Sequence, residues 1–121
     1  MSVELFIIDE ARDEFERLNR VVGEQAAKGI TNSEEMQLLN AIRKKSGLVK
    51  LNPAYGDKVP KAYWPKGLVE QYKLTNLWRA ELTRYWRMLY TLRGDRVEVL
   101  CFVIRIVDHK RYDRLFGYRK K

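Results

Sequence analysis

Residues that build many familiar active sites are scarce in this chain. It has one cysteine and one histidine, so it can form neither an internal disulfide nor a cysteine–histidine cluster to hold zinc. Its Asp and Glu residues show no ligand spacing, and neither a GxGxxG nor a Walker A phosphate loop occurs. No metal and no small-molecule cofactor are therefore expected. Long hydrophobic runs are missing too: the longest, Val99 to Ile104, is far short of the ~20 residues of a membrane-crossing helix. The amino terminus, MSVELFIIDEARDE, is acidic and lacks the basic region of a secretory leader. The expectation is a cytoplasmic protein with no membrane association. Cys101 lies inside the most apolar segment, where a thiol is far more often core than nucleophile.

What is present suits one folded unit, residues 1–121. Hydrophobic residues make up 45% and charged residues 33%, which excludes a disordered chain and leaves enough apolar surface for a single core. Net charge is +8 and is unevenly placed: residues 1–60 carry 9 Lys and Arg against 10 Asp and Glu, whereas residues 61–121 carry 15 against 6. Such asymmetry suggests a partner rich in negative charge, nucleic acid or an acidic protein segment, although solvation of an exposed surface would also use lysine and arginine.

Taken in order, Val3 to Ile8 fits a short strand and Asp9 a helix cap. Ala11, Phe15, Leu18 and Val22 then recur as one stripe of an amphipathic helix, with Gly29 as its stop. Thr31 and Glu34 have capping-box spacing, so a second helix is expected from about Asn32, with Met36, Leu39 and Ile42 facing one way and Ser46-Gly47 closing it. All three prolines fall within residues 48–72, which reads as an irregular connector with room for one turn of helix, whose Tyr55, Tyr63 and Trp64 should pack on the rest of the protein. Three strands follow, from about Tyr72 to Leu82, Trp86 to Leu92 and Val97 to Val107, with Arg93 to Arg96 as a tight connection. A short helix bearing Tyr112, Leu115 and Phe116 ends at Gly117. The expected fold is α+β: a strand, a two-helix hairpin, a three-stranded antiparallel meander and a short C-terminal helix. The hairpin would cover one sheet face and leave the other open.

Alternation within the strands separates two sets of side chains. Trp86, Met88, Tyr90 and Leu92 oppose Arg87, Leu89 and Thr91; Leu100, Phe102, Ile104 and Ile106 oppose Cys101, Val103 and Arg105; Trp78, Ala80 and Leu82 oppose Leu77, Arg79 and Glu81. Arg79 and Arg87 should thus emerge on one face, near each other and near Arg105. An arginine inside a strand needs a carboxylate, a sheet edge or an anionic ligand, because an unpaired buried charge costs several kcal/mol. Pairing of Arg79 or Arg87 with Glu81 across strands is the purely structural alternative. The single histidine, His109, closes the third strand. It is a candidate acid or base for phosphodiester chemistry, though a lone histidine is more often a surface or capping residue and Asp108 could simply be its partner.

The sequence NLWRAEL, then YWRMLY, then a hydrophobic strand ending in VDHKRY, resembles the RelE/ParE superfamily of toxins from prokaryotic toxin-antitoxin systems. The resemblance covers most of the chain by pattern and is most specific over Asn76 to Tyr112. It implies a toxin that cleaves messenger RNA on the ribosome as a metal-independent endoribonuclease and inhibits translation, neutralised by a cognate antitoxin that covers the basic face. It equally admits a non-catalytic ParE-like toxin that inhibits a protein such as DNA gyrase by binding, because fold does not fix activity. Arg87 matches the strand arginine set against the scissile phosphate, Arg79 a basic residue on the preceding strand, and His109 the arginine or histidine ending the last strand. Glu81 stands where a second basic residue is found, and Tyr112 and Tyr118 flank the expected place of a C-terminal tyrosine. Under this resemblance Arg87 and Arg79 would stabilise the charge of a pentacoordinate phosphate, with His109 as base or acid, Glu81 as the alternative base, and Tyr112 or Tyr118 stacking on a base or assisting proton transfer. Lys110, Arg111, Arg105, Arg114, Arg119, Lys120 and Lys121 would hold RNA phosphates.

Overall fold

The computed structural model describes residues 2–117, so Tyr118, Arg119, Lys120 and Lys121 lie outside the described residues. Strand β1 (Ser2–Ile7) leads into helices α1 (Asp9–Ala27) and α2 (Glu34–Leu51). A two-residue strand β2 (Asp57–Lys58), a 3-10 turn (Lys61–Tyr63) and helix α3 (Lys66–Tyr72) precede strands β3 (Trp78–Thr83), β4 (Trp86–Gly94) and β5 (Glu98–Asp108) and helix α4 (His109–Phe116). The protein is α+β, with a mixed five-stranded sheet in the order β1-β5-β4-β3-β2. β1 runs parallel to β5, and the other pairings are antiparallel. Among the described residues no helix is long and apolar enough to cross a membrane.

The helical hairpin forms as its periodicity demands. Ala11 and Leu18 are fully buried, and Phe15 and Val22 pack on the same core, which α2 completes with Leu38, Leu39, Ile42 and Val49. Its caps differ from expectation. Asp9 is the first residue of α1, with φ 52°, and its carboxylate accepts the Tyr72 hydroxyl at 2.7 Å instead of capping the helix. Ser33, not Thr31, caps α2: its Oγ accepts Met36 N–H at 3.1 Å and donates to Gln25 Oε1 at 2.6 Å. One hydroxyl thus caps α2 and ties it to α1, which Thr31 is placed too early to do. α2 also runs past Ser46-Gly47, because Val49 is fully buried one turn on and the helix can continue until Pro53 approaches.

The face expected to be open is covered. Leu68, Leu74, Leu77, Leu89, Ile104, Val107 and Tyr112 form a second core there, flanked by Trp64, Tyr72, Leu115 and Phe116. The residues that cover it come from α4 and from α3, which forms in the connector where one turn of helix has room and ends at Tyr72, the expected start of a strand. Lys73, in the left-handed region, ends α3, and β3 begins at Trp78. Between them the Asn76 side chain imitates a strand residue, donating to Leu92 O and accepting Leu92 N–H at 2.8 Å each. Trp64 packs as expected and donates its indole N–H to Val59 O, whereas Tyr63 stays exposed.

Alternation on β3 and β4 holds, and on β5 it breaks. Leu89 pairs with Arg105 but Tyr90 with Val103, so an irregularity at Ile104 inserts one residue into β5. Cys101, Val103 and Ile106 therefore share the hairpin-side core while Phe102, Ile104 and Val107 join the other. The expected set of Leu100, Phe102, Ile104 and Ile106 is split by it.

Tyr90 anchors the connector to the sheet. Its hydroxyl accepts Gly56 N–H and donates to Pro53 O, both at 2.9 Å, and a Cβ on Gly56 would lie 2.6 Å from Arg79 O. Replacing Tyr90 by Phe leaves both backbone groups unpaired and should cost about 1–3 kcal/mol in urea unfolding at neutral pH. Burial pushes this hydroxyl from its ordinary 10.0 up to about 12, so folding favours the protonated phenol. Its contribution is complete below pH 10.0 and is lost as pH rises toward about 12. The Phe variant should lack that alkaline loss, and identical stability profiles for the two proteins would contradict the anchor.

Candidate functional site

Sheet register brings the two strand arginines together. Asp57, Arg79 and Leu89 form one cross-strand row, and Glu81, Arg87 and Val107 the next. Arg79 and Arg87 are diagonal neighbours on the face covered by α4. Helix α4 is placed by its first turn. The Asp108 carboxylate accepts Arg111 N–H at 2.8 Å, and His109 N–H donates to Tyr85 O at 2.7 Å, which binds the helix start to the β3–β4 turn. One turn on, Tyr112 is buried between the arginines and Phe116.

Tyr112 meets both guanidiniums. Arg87 lies over its ring at 4.5 Å from the centroid, and Arg79 Nη1 donates to its hydroxyl at 3.3 Å. Arg79 also pairs with Asp57 at 3.5 Å, and its basicity is raised, chiefly by the Tyr112 hydrogen bond. Its Nε has no hydrogen-bond partner among the described residues. Arg87 makes no ion pair among the described residues, although exposed Glu81 stands directly opposite it on β3. The structural alternative, Glu81 pairing with an arginine, is not what forms: Asp57 pairs with Arg79 and the Tyr112 ring faces Arg87. A guanidinium held by an aromatic face keeps its N–H edge for bidentate contact with an anion such as phosphate.

His109 is exposed at the first position of α4, with its ring 5.6 Å from that of Tyr85. It precedes Tyr112 by one helical turn and so shares its side of α4. Asp108, the structural alternative for the histidine's partner, directs its carboxylate to Arg111 instead, as cap and as ion pair at 3.7 Å.

The other expected phosphate contacts divide. Arg105 stands in the row of Arg79 beyond Leu89, but it is buried and pairs with Glu10 at 3.3 Å, Gln71 Oε1 at 3.1 Å and Tyr72 hydroxyl at 3.3 Å. It fastens α1 and α3 to the sheet, away from the Arg79–Arg87 pair. Arg111 lies over the Trp86 ring and pairs with Glu14 at 3.6 Å as well as Asp108. Lys110 and Arg114 are exposed on α4; Arg119 is outside the described residues. Cys101 is buried and its thiol is pushed up to about 12, an inert core residue. Among the described residues no three His, Cys, Asp or Glu side chains gather as a metal site would require.

Asp57 and Tyr85 escaped the sequence reading. Asp57 sits in a proline-interrupted connector with no strand pattern, and only the two-residue β2 sets it beside Arg79. Comparison with protein-family models, curated proteins and solved structures finds no match to this chain.

Removing the Asp57 charge frees Arg79 for an external anion. Asp57→Asn should raise affinity for inorganic pyrophosphate by roughly two- to fivefold at low salt, the scale of an exposed ion pair, with the gain vanishing as salt rises. Isothermal titration measures this, and unchanged affinity would show that Arg79 does not reach the anion.

Proposed function

We propose that this protein is a RelE-like toxin of a toxin-antitoxin system, an endoribonuclease that cleaves messenger RNA on the ribosome in the cytoplasm. The observation that carries the reading is the convergence of Arg79 and Arg87, from adjacent strands, on Tyr112 one turn beyond His109. The order of strand, helical hairpin, three antiparallel strands and terminal helix supports the same family, as do the motifs around Arg87 and His109. The short β2 and helix α3 are additions to that pattern.

Cleavage of RNA without a metal needs a base for the 2′-hydroxyl proton, cations for the extra charge on the pentacoordinate phosphate and an acid for the leaving 5′-oxygen. Arg87 supplies the first cation through its free N–H edge. Arg79, shared with Asp57 and Tyr112, supplies the second. His109 is the exposed imidazole at the end of β5 and takes or returns the proton, while Glu81, opposite Arg87, is the other base within the site. Lys110 and Arg114 hold flanking phosphates. A cognate antitoxin with an acidic segment would silence such a surface by covering it.

A second reading is favoured by the carboxylates. Asp57 on Arg79 and Glu81 opposite Arg87 both lower the positive potential that a phosphate would meet, which suits a ParE-like protein that inhibits DNA gyrase by binding without cleaving RNA.

Arg87→Ala separates these readings. It should retain the fold by circular dichroism, abolish growth arrest on induction, and lower ribosome-dependent cleavage by on the order of a hundred- to a thousandfold. Arg87→Lys should recover little, because a point charge replaces a bidentate fork. Undiminished cleavage by Arg87→Ala would overturn the role given to Arg87, and gyrase inhibition with intact messenger RNA would overturn the nuclease assignment in favour of the second reading.

A further inference from the structure

The tip of the β3–β4 turn holds a feature that the arginine site does not use. Between this tip and the start of α2 lies a cavity of about 260 Å³ lined by Glu34, Gln37, Thr83, Arg84, Tyr85 and Trp86. Tyr85 is 52% exposed, yet it is held from two sides, by the Arg84 guanidinium at 5.7 Å and the His109 ring at 5.6 Å. Its carbonyl accepts His109 N–H, so the tip cannot move independently of α4. Arg84 is itself exposed, so a base can displace it from the Tyr85 face and stack there, on a tip already fastened to α4. Around it are the groups that read base edges: the Gln37 amide, which both donates and accepts, the Glu34 carboxylate and the Thr83 hydroxyl.

The geometry points to a pocket for one unpaired base of the RNA bound at Arg87, stacked on Tyr85 and read by Glu34 and Gln37. This rests on the RNA-cleaving reading and adds to it a residue set for sequence preference. Arg87 follows Trp86 directly, but the two point to opposite sheet faces. A strand whose phosphate meets Arg87 reaches the cavity by turning round the end of the sheet, where Tyr85 stands. An ionised carboxylate accepts hydrogen bonds only. It therefore welcomes adenine, cytosine or guanine, each of which presents an exocyclic amino group, and it disfavours uracil, whose single edge N–H is flanked by two carbonyl oxygens.

The test uses the purified full-length protein and the ribotrinucleotides CCC and UUU, with binding followed by tryptophan fluorescence. CCC should bind roughly tenfold more tightly than UUU, the scale of one well-made base contact. Glu34→Gln combined with Gln37→Ala should erase that ratio. Tyr85→Ala should weaken both by roughly tenfold through lost stacking, with Tyr85→Phe restoring it, and Arg87→Ala should weaken both without changing the ratio. A ratio unchanged by the Glu34 and Gln37 substitutions, or equal binding of both trinucleotides that still depends on Arg87, would overturn the pocket and leave the RNA reading standing. Binding of neither trinucleotide would overturn the pocket, and messenger RNA left whole on programmed ribosomes would overturn the RNA reading as well.

Discussion

Two guanidiniums on a sheet face beneath a helix set the conditions that the surrounding structure meets. A cation cannot be covered there without a group to answer its charge, and Tyr112 answers for both, with its ring against Arg87 and its hydroxyl to Arg79. For Tyr112 to arrive, α4 must start at a fixed point and lie along that face. The start is fixed by the Asp108 cap and the bond from His109 to Tyr85, and the direction by the apolar contacts of Tyr112, Leu115 and Phe116 in the second core. The same contact that permits the fold leaves one guanidinium without a carboxylate.

Arg105 shows what a wholly structural arginine looks like in this protein. It lies in the same cross-strand row as Arg79, but Glu10, Gln71, Tyr72 and its own neighbour's carbonyl surround it. Each of its three nitrogens is met from within the chain. Arg87 differs in being faced by a ring rather than an acid, and its edge stays available. Arg79 is intermediate, shared between Asp57 and Tyr112. The carboxylates near the pair temper its potential, so the site is less strongly basic than the charge of the second half of the chain suggests.

Much of this was legible in the sequence where one physical rule dominates. The stripe of Ala11, Phe15, Leu18 and Val22 specifies α1 because helical period and burial agree, and alternation on β3 and β4 put Arg79 and Arg87 on one face correctly. Legibility fails where tertiary contacts decide. The irregularity at Ile104 shifts the side-chain phase of β5 without any glycine or proline to announce it. Helix α3 is foreshadowed only as a single turn within the connector, because seven residues are too few for a period to stand out, and its packing of Leu68 closes a face that alternation alone leaves open. The cap at Ser33 prevailed over the capping-box spacing of Thr31 and Glu34 because its hydroxyl also reaches Gln25, a contact between helices that spacing cannot foresee.

The central claim is that Arg79, Arg87 and His109 carry out an internal attack by the 2′-hydroxyl on the neighbouring phosphate. The chemistry of the cut ends tests it most directly. Messenger RNA programmed on ribosomes is incubated with the protein, and the new termini are identified by mass spectrometry. The account predicts a 2′,3′-cyclic phosphate on one fragment and a free 5′-hydroxyl on the other. Fragments ending in 3′-hydroxyl and 5′-phosphate, or messenger RNA left whole, would contradict it.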